Sequence, residues 1–181
     1  MRIIAGSAKG HVLKVPREVS RPTTDRVRES LFGILAQVVE GAEVLDLYAG
    51  SGALSLEALS RGAVHAQLVE QNRGAVRTIE HNAAKLRFED RLSIAMRDVV
   101  DFLRGDQRSY DLIFADPPYA DGLRHAAGDL QKLRDWEMRL KPEGYLILEQ
   151  EAHGEDLELR GLKVSERRRY GKSRLSFYQV A

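Results

Sequence analysis

From Glu43 to Glu149, short apolar runs alternate with amphipathic segments, and this alternation limits the fold more than anything else in the 181-residue chain. Residues 44–48, 64–70, 92–96, 110–115 and 144–149 read as strands. Residues 53–61, 73–86, 99–104 and 123–140 carry helical spacing between them. Strand–helix alternation of this kind predicts an α/β fold whose mostly parallel sheet is covered on both faces. The two ends differ. Arg2-Ile3-Ile4 and residues 11–15 read as short strands about a turn at residues 6–10, so residues 1–20 form a small N-terminal β-hairpin extension to a main domain at 21–181. Arg21-Pro22-Thr23-Thr24 is extended before a helix that Thr24 or Asp25 can cap. Val27, Leu31, Ile34, Leu35 and Val38 mark that helix's apolar stripe. Residues 162–169 and 173–180, about Gly171, predict a terminal antiparallel hairpin.

The fourth of the alternating strands ends in Asp116-Pro117-Pro118-Tyr119. Two successive prolines fix two φ angles and remove two N–H donors, so the strand must stop there. The carbonyls beside the Asp116 carboxylate are thereby held still. A rigid carbonyl, a short acceptor side chain and an aromatic ring suit the capture of a flat heterocycle by its amino group.

Composition removes several chemistries. With 0 Cys there is no disulfide, thiolate nucleophile or zinc–thiolate site. His11, His65, His81, His125 and His153 are scattered, so no metal is expected. No 18 apolar residues run together and the N-terminus lacks a signal-like apolar run, which predicts a cytoplasmic protein. The net charge of +1 hides an asymmetry. Residues 1–30 hold seven Lys/Arg against three Asp/Glu, and residues 160–181 seven against one; the body between them holds 14 against 23. Basic ends on an acidic body suit a polyanionic partner.

The first alternating strand runs into Asp46-Leu47-Tyr48-Ala49-Gly50-Ser51-Gly52. Open α/β sheets bind ligands at the carboxyl ends of their strands, and Gly50 and Gly52 let the backbone approach one closely. Glu70 ends the next strand, where a carboxylate accepts from ribose hydroxyls. Ser55 replaces the third glycine of a dinucleotide fingerprint. Asp46 suits a cationic sulfonium and amino group better than a pyrophosphate. The favoured cofactor is S-adenosyl-L-methionine. Asp98, after the third strand, can accept from the adenine amino group, cap the helix at Val99-Val100, or do both.

With these residues in hand, the chain resembles the RsmD-type 16S ribosomal RNA guanine-N2 methyltransferases. Arg2 to Gly6 with Lys9-Gly10, the block Arg21-Pro22-Thr23-Thr24-Asp25-Arg26-Val27-Arg28-Glu29, Asp46 to Arg61, Glu70, Asp98, Asp116 to Tyr119 and Tyr170-Gly171-Lys172-Ser173 carry the resemblance. It covers nearly the whole chain; Tyr48 departs from the smaller or different ring frequent in the family. It implies a class I Rossmann-like methyltransferase with a seven-stranded sheet, S-adenosyl-L-methionine as donor and a guanine of the small ribosomal subunit as acceptor. It also places Arg21 and Thr23, with Ala49, at the cofactor.

The chemistry follows. Asp116 and the Pro117 carbonyl accept the two amino hydrogens and Tyr119 stacks on the base, so Asp116, Pro117, Pro118 and Tyr119 are the expected catalytic set. Cofactor contacts are expected from Arg21, Thr23, Asp46, Ala49, Gly50, Gly52, Glu70, Asp98 and Asp116. RNA contacts are expected from Lys9, Arg26, Arg28, Arg167, Arg168, Arg169, Lys172 and Arg174, with His11 beside Lys9. The partner is 16S rRNA or a small-subunit particle, met by a monomer. Trp136, Met96 and Met138 are expected in the core, and Glu57 with Arg61 as a surface i,i+4 pair. The competing readings are a DNA amino-methyltransferase acting on adenine N6 or cytosine N4, and a non-catalytic RNA-binding assembly factor.

Overall fold

In the computed structural model, which describes residues 1–16, 24–117, 128, 130–133 and 135–181, seven strands form one sheet. They are β1 (Glu43–Leu47), β2 (His65–Val69), β3 (Leu92–Ala95), β4 (Tyr110–Ala115), β5 (Leu140–Glu151), β6 (Leu162–Tyr170) and β7 (Ser173–Val180), in the order β3-β2-β1-β4-β5-β7-β6. The first five are mutually parallel, and the β6–β7 hairpin adds antiparallel to β5. The order reverses between β1 and β4. Such a switch point opens a crevice at the carboxyl ends of the two strands. Leu47 is the Cα partner of Ala115, so the glycine loop and Asp116 leave the sheet at one level.

The helices form where the apolar spacing predicts them. α1 (Asp25–Ile34) is capped by Thr24, whose hydroxyl oxygen accepts from the Val27 N–H at 3.4 Å, and a 3₁₀ turn continues it over Leu35–Gln37. α2 (Ala53–Ser60) and α3 (Arg73–Leu86) pack on the same face of the sheet. Asn72 caps α3 by accepting from Gly74 and Ala75. The other face is filled from α4 (Val99–Gly105) and the short α5 (Trp136–Arg139). The long helix expected over 123–140 is interrupted. Residues 128 and 130–132 are helical, Leu133 is not, and Asp135 sits at φ −124° before α5. The break turns Trp136 wholly inward, where its indole N–H donates to the Leu130 carbonyl at 3.0 Å. Residues 123–127, 129 and 134 of that expectation lie outside the described residues.

The N-terminal segment forms a single antiparallel bridge, Arg2 to Val12, where two short strands were expected, and its Ile3, Ala8 and Leu13 enter the core shared by α1 and α2. α2 is therefore covered on both sides. Its Glu57, expected at the surface, is fully buried and accepts from the Ile4 and Ala5 N–H groups at 2.7 and 3.0 Å and from Arg61 at 2.7 Å. A buried carboxylate persists only when so paired. Gly6 makes the close approach possible: at φ +83° a Cβ there would lie 1.8 Å from the Ser60 carbonyl oxygen. Met96 and Met138, expected in the core, are instead exposed, because each follows or occupies an element's solvent side.

Candidate active site

The loop after β1 is built by strain and hydrogen bonds together. Tyr48 takes φ +63°, a left-handed conformation that is costly for a bulky residue and typical of functional turns. Ala49 donates to the Val69 carbonyl at 3.1 Å and Gly52 to the Ala49 carbonyl at 2.7 Å. Gly52 is at φ +75°, and a Cβ there would press on Ile79 and Leu68 at 3.3 Å. Beside Gly50 a Cβ would meet only the Tyr48 carbonyl oxygen, 3.9 Å away, so the loop presents bare backbone to open space.

Glu70 stands over this loop. Its carboxylate accepts from the Gly50 N–H at 2.9 Å and the Asn72 N–H at 2.8 Å, which fixes both oxygens and leaves lone pairs for further donors. Its own N–H donates to Ala95 at the end of β3. The ends of β1, β2 and β3 are thus laced together. Asp98, exposed just beyond, caps α4 by accepting from Val100 and Asp101 at 2.8 and 3.2 Å. Both bonds of this cap go to one carboxylate oxygen, Oδ1.

Asp46 lies below the surface of the glycine loop. It is 3% exposed, beneath the start of α2, and accepts from the Ser55 hydroxyl at 2.7 Å. Burial pushes its carboxyl up to about 7, against the Ser55 hydrogen bonds and with help from the Glu70 charge. Its work is to hold the first turn of α2, and with it the glycine loop, against β1. Ser55 and Asn82 are functional neighbours that the sequence reading missed. The fully buried Asn82 amide donates to Ser51 of the loop at 3.1 Å and to Lys14 at 2.9 Å, and its oxygen accepts from the Lys14 N–H. A polar residue on the apolar face of α3, next to Ile79 and Ala83, was the signal available.

Asp116 is half-buried and Pro117 buried at the end of β4. A small recess, with free space of about 10 Å³, lies beside Asp116 and is lined by Leu31, Leu54, Phe114, Ile147, Leu175 and the Glu149 of β5. Pro118 and Tyr119, like Arg21 and Thr23, lie outside the described residues. The glycine loop and Asp116 thus leave β1 and β4 at the same carboxyl edge, with Glu70 on the loop and the recess beside Asp116.

The basic residues divide. Lys9, Arg26 and Lys172 are exposed. Arg28, expected to face RNA, is fully buried: its guanidinium donates to the Arg2 carbonyl at 2.6 Å and to Asp25 at 2.7 Å, bracing α1 on the N-terminal segment. Arg174 is also removed from the RNA-facing set, since it is held by Asp156, the Gly154 carbonyl and Gln150. Arg167 grips the same Asp156, and that pairing holds the Asp156 carboxyl below the usual carboxylate range. Arg168 pairs with Glu166, and Arg169 meets His153 at 2.6 Å. Register on β7 places Arg167 opposite Ser176 and Arg168 opposite Leu175, so successive arginines of the triplet face opposite sides of the sheet. Among the described residues no group of three or more His, Cys, Asp or Glu could hold a metal ion.

The sequence profile of the family described as Conserved hypothetical protein 95 matches residues 1–179. The chain belongs to this family, the RsmD family. Its relatives include Ribosomal RNA small subunit methyltransferase D of Escherichia coli K12, 39% identical over 152 residues (83% of this chain and 75% of that protein). The same-named protein of Haemophilus influenzae is 35% identical over 155 residues, 83% of this chain and 79% of that one. A solved structure of a hypothetical protein of Thermus thermophilus superposes with a TM-score of 0.84 at 30% identity, covering 99% of each chain. The ribosomal protein L11 methylase of Lactobacillus delbrueckii, 17% identical with a TM-score of 0.67 over 96% of this chain and 87% of that one, shares the fold. The chain thus carries a Rossmann-like methyltransferase fold.

Proposed function

We propose that this chain is a cytoplasmic rRNA methyltransferase that transfers the methyl group of S-adenosyl-L-methionine to the exocyclic N2 of a guanine in 16S rRNA. The observation that carries the reading is the common level of the glycine loop and Asp116 on adjacent strands, with an apolar recess beside them. RsmD relatives named as small-subunit rRNA methyltransferases supply the substrate class.

The residues present fit the cofactor. The open backbone at Gly50 accepts a close ligand, and Glu70 holds oriented lone pairs for two ribose hydroxyls. The family resemblance adds Arg21, Thr23 and Asp98 to the cofactor's contacts. When bound, S-adenosyl-L-methionine supplies an electrophilic methyl carbon on a sulfonium. The chain's own task is to make a poor nucleophile useful. The guanine amino lone pair is delocalised into the ring. Asp116 and the Pro117 carbonyl accept its two hydrogens, which favours a tetrahedral nitrogen and points the lone pair outward. Asp116 then receives the proton that the nitrogen sheds as the new N–C bond forms. Tyr119 stacks on the base, a contact worth about 1–3 kcal/mol. Because a paired guanine hides its amino group, the base must be splayed from its helix to reach Asp116. Lys9, Arg26, Arg168, Arg169 and Lys172 supply the phosphate contacts.

The test is methyl transfer from tritiated S-adenosyl-L-methionine to small-subunit particles, naked rRNA and DNA, followed by nucleoside digestion. Label in N2-methylguanosine from the ribosomal substrates is expected. Label in N6-methyladenine or N4-methylcytosine of DNA, or transfer to none of them, overturns the proposal.

A further inference from the structure

β4 and β5 place a second carboxylate beside Asp116. Phe114 is the Cα partner of Ile147, and Ala115 of Leu148, so Asp116 and Glu149 follow at matching positions on neighbouring parallel strands. Phe114 and Ile147 belong to one core face. Side chains two residues on point to that same face, and adjacent strands lie only about 4.8 Å apart. Both carboxylates line the recess whose remaining walls are Leu31, Leu54, Phe114, Ile147 and Leu175. Leu175 is in addition the Cα partner of Glu149 across the β5–β7 pair.

Two adjacent acceptors over an apolar floor match a base edge with adjacent donors. Guanine has one: N1–H stands beside the two hydrogens of N2. Adenine offers its amino group between the bare N1 and N7 acceptors, and cytosine beside the bare N3 acceptor. Either would turn a lone pair toward a carboxylate in a setting where water has little room to intervene. Sites built to hydrogen-bond a substrate group reject analogues that lack it far more strongly than apolar pockets reject a change of size.

We propose that Glu149 determines base specificity, its carboxylate accepting the guanine N1–H while Asp116 and Pro117 hold the N2 hydrogens. The inference rests on the N2-guanine reading above and adds the residue that enforces it. It also separates this chain, on its own residues, from amino-methyltransferases of adenine and cytosine.

The experiment uses small-subunit rRNA assembled with either guanosine or 2-aminopurine riboside at the position the parent enzyme methylates. 2-Aminopurine keeps the 2-amino group but replaces N1–H by a lone pair. The parent enzyme is expected to prefer guanosine by about 10²-fold or more in kcat/KM. Glu149→Gln, whose amide can donate to the bare N1, is expected to lose activity on guanosine and gain it on 2-aminopurine, bringing the preference to within a few-fold. Asp116→Asn should slow both substrates and leave the ratio near the parent value. A Glu149→Gln enzyme that binds S-adenosyl-L-methionine by calorimetry yet keeps the parent's preference overturns the assignment. A parent enzyme that produces no N2-methylguanosine overturns the underlying reading as well.

Discussion

The buried Glu57 of α2 and Arg61, the helix's C-cap one turn on, form an ion pair at 2.7 Å that ties the N-terminal segment to the floor of the recess. Glu57 accepts from the backbone of Ile4 and Ala5. The Arg61 guanidinium lies 4.9 Å over the Phe32 ring, and Phe32 packs 5.9 Å from Phe114, which lines the recess. A clamp on the chain's first residues thereby reaches the recess beside Asp116.

Glu57→Ala tests that clamp. It leaves two buried N–H groups and a largely buried guanidinium uncompensated, a loss of about 3–5 kcal/mol for breaking a buried pair. Thermal unfolding followed by circular dichroism should show the midpoint falling by about ten degrees or more. A midpoint within about two degrees of the parent would mean that the N-terminal segment is held by other contacts.

Asp46 gives the stability a defined pH dependence. Its folded-state pKa is raised from 3.8 to about 7, so between those values the folded protein binds the proton more tightly than the unfolded chain. The favourable contribution is complete below about pH 4 and is lost as pH rises through 7. Three units correspond to roughly 4 kcal/mol. Asp46→Asn, which keeps an acceptor for Ser55, should raise stability at about pH 8 and change it little at about pH 4. Urea unfolding at both pH values checks this. An equal effect at the two would show that Asp46 ionises normally in the fold.

The division among the basic residues predicts two different phenotypes. Removing Arg26 and Lys172, both exposed, should lower the slope of log affinity for rRNA against log salt by about 0.7–0.9 per lost phosphate contact. Arg28→Ala should leave that slope near the parent value and reduce stability, because Arg28 is buried between Asp25 and the Arg2 carbonyl. Filter binding at several salt concentrations separates them, and a flattened slope from Arg28→Ala alone would reverse the assignment.

Much of this architecture was legible in the chain, for physical reasons. The strand at Tyr110–Ala115 and the helix at Arg73–Leu86 were readable to the residue, since two prolines end the one and an Asn cap with a stripe of Val76, Ile79, Ala83 and Leu86 bounds the other. The glycine loop and Glu70 were readable because strand ends in an alternating sheet share one edge. What stayed hidden depends on tertiary partners. Nothing local marks Glu57 as buried, because the backbone that satisfies it comes from 52 and 53 residues away. The arginines of the terminal hairpin looked like one patch, yet strand alternation splits them and Asp156, 11 residues before Arg167 along the chain, draws two of the hairpin's cations to itself. The nearness of Glu149 to Asp116 depends on the pairing of β5 with β4, which no local pattern encodes.

The most direct measurement is nucleoside mass spectrometry of small-subunit rRNA incubated with S-adenosyl-L-methionine and either the parent protein or Asp116→Ala, alongside calorimetric cofactor binding to both. We expect N2-methylguanosine with the parent, a loss of turnover of about 10²-fold or more with the variant, and cofactor affinities that agree within a few-fold. Turnover of Asp116→Ala close to that of the parent, with the cofactor bound equally well by both, would contradict the placement of the reacting guanine against the end of β4.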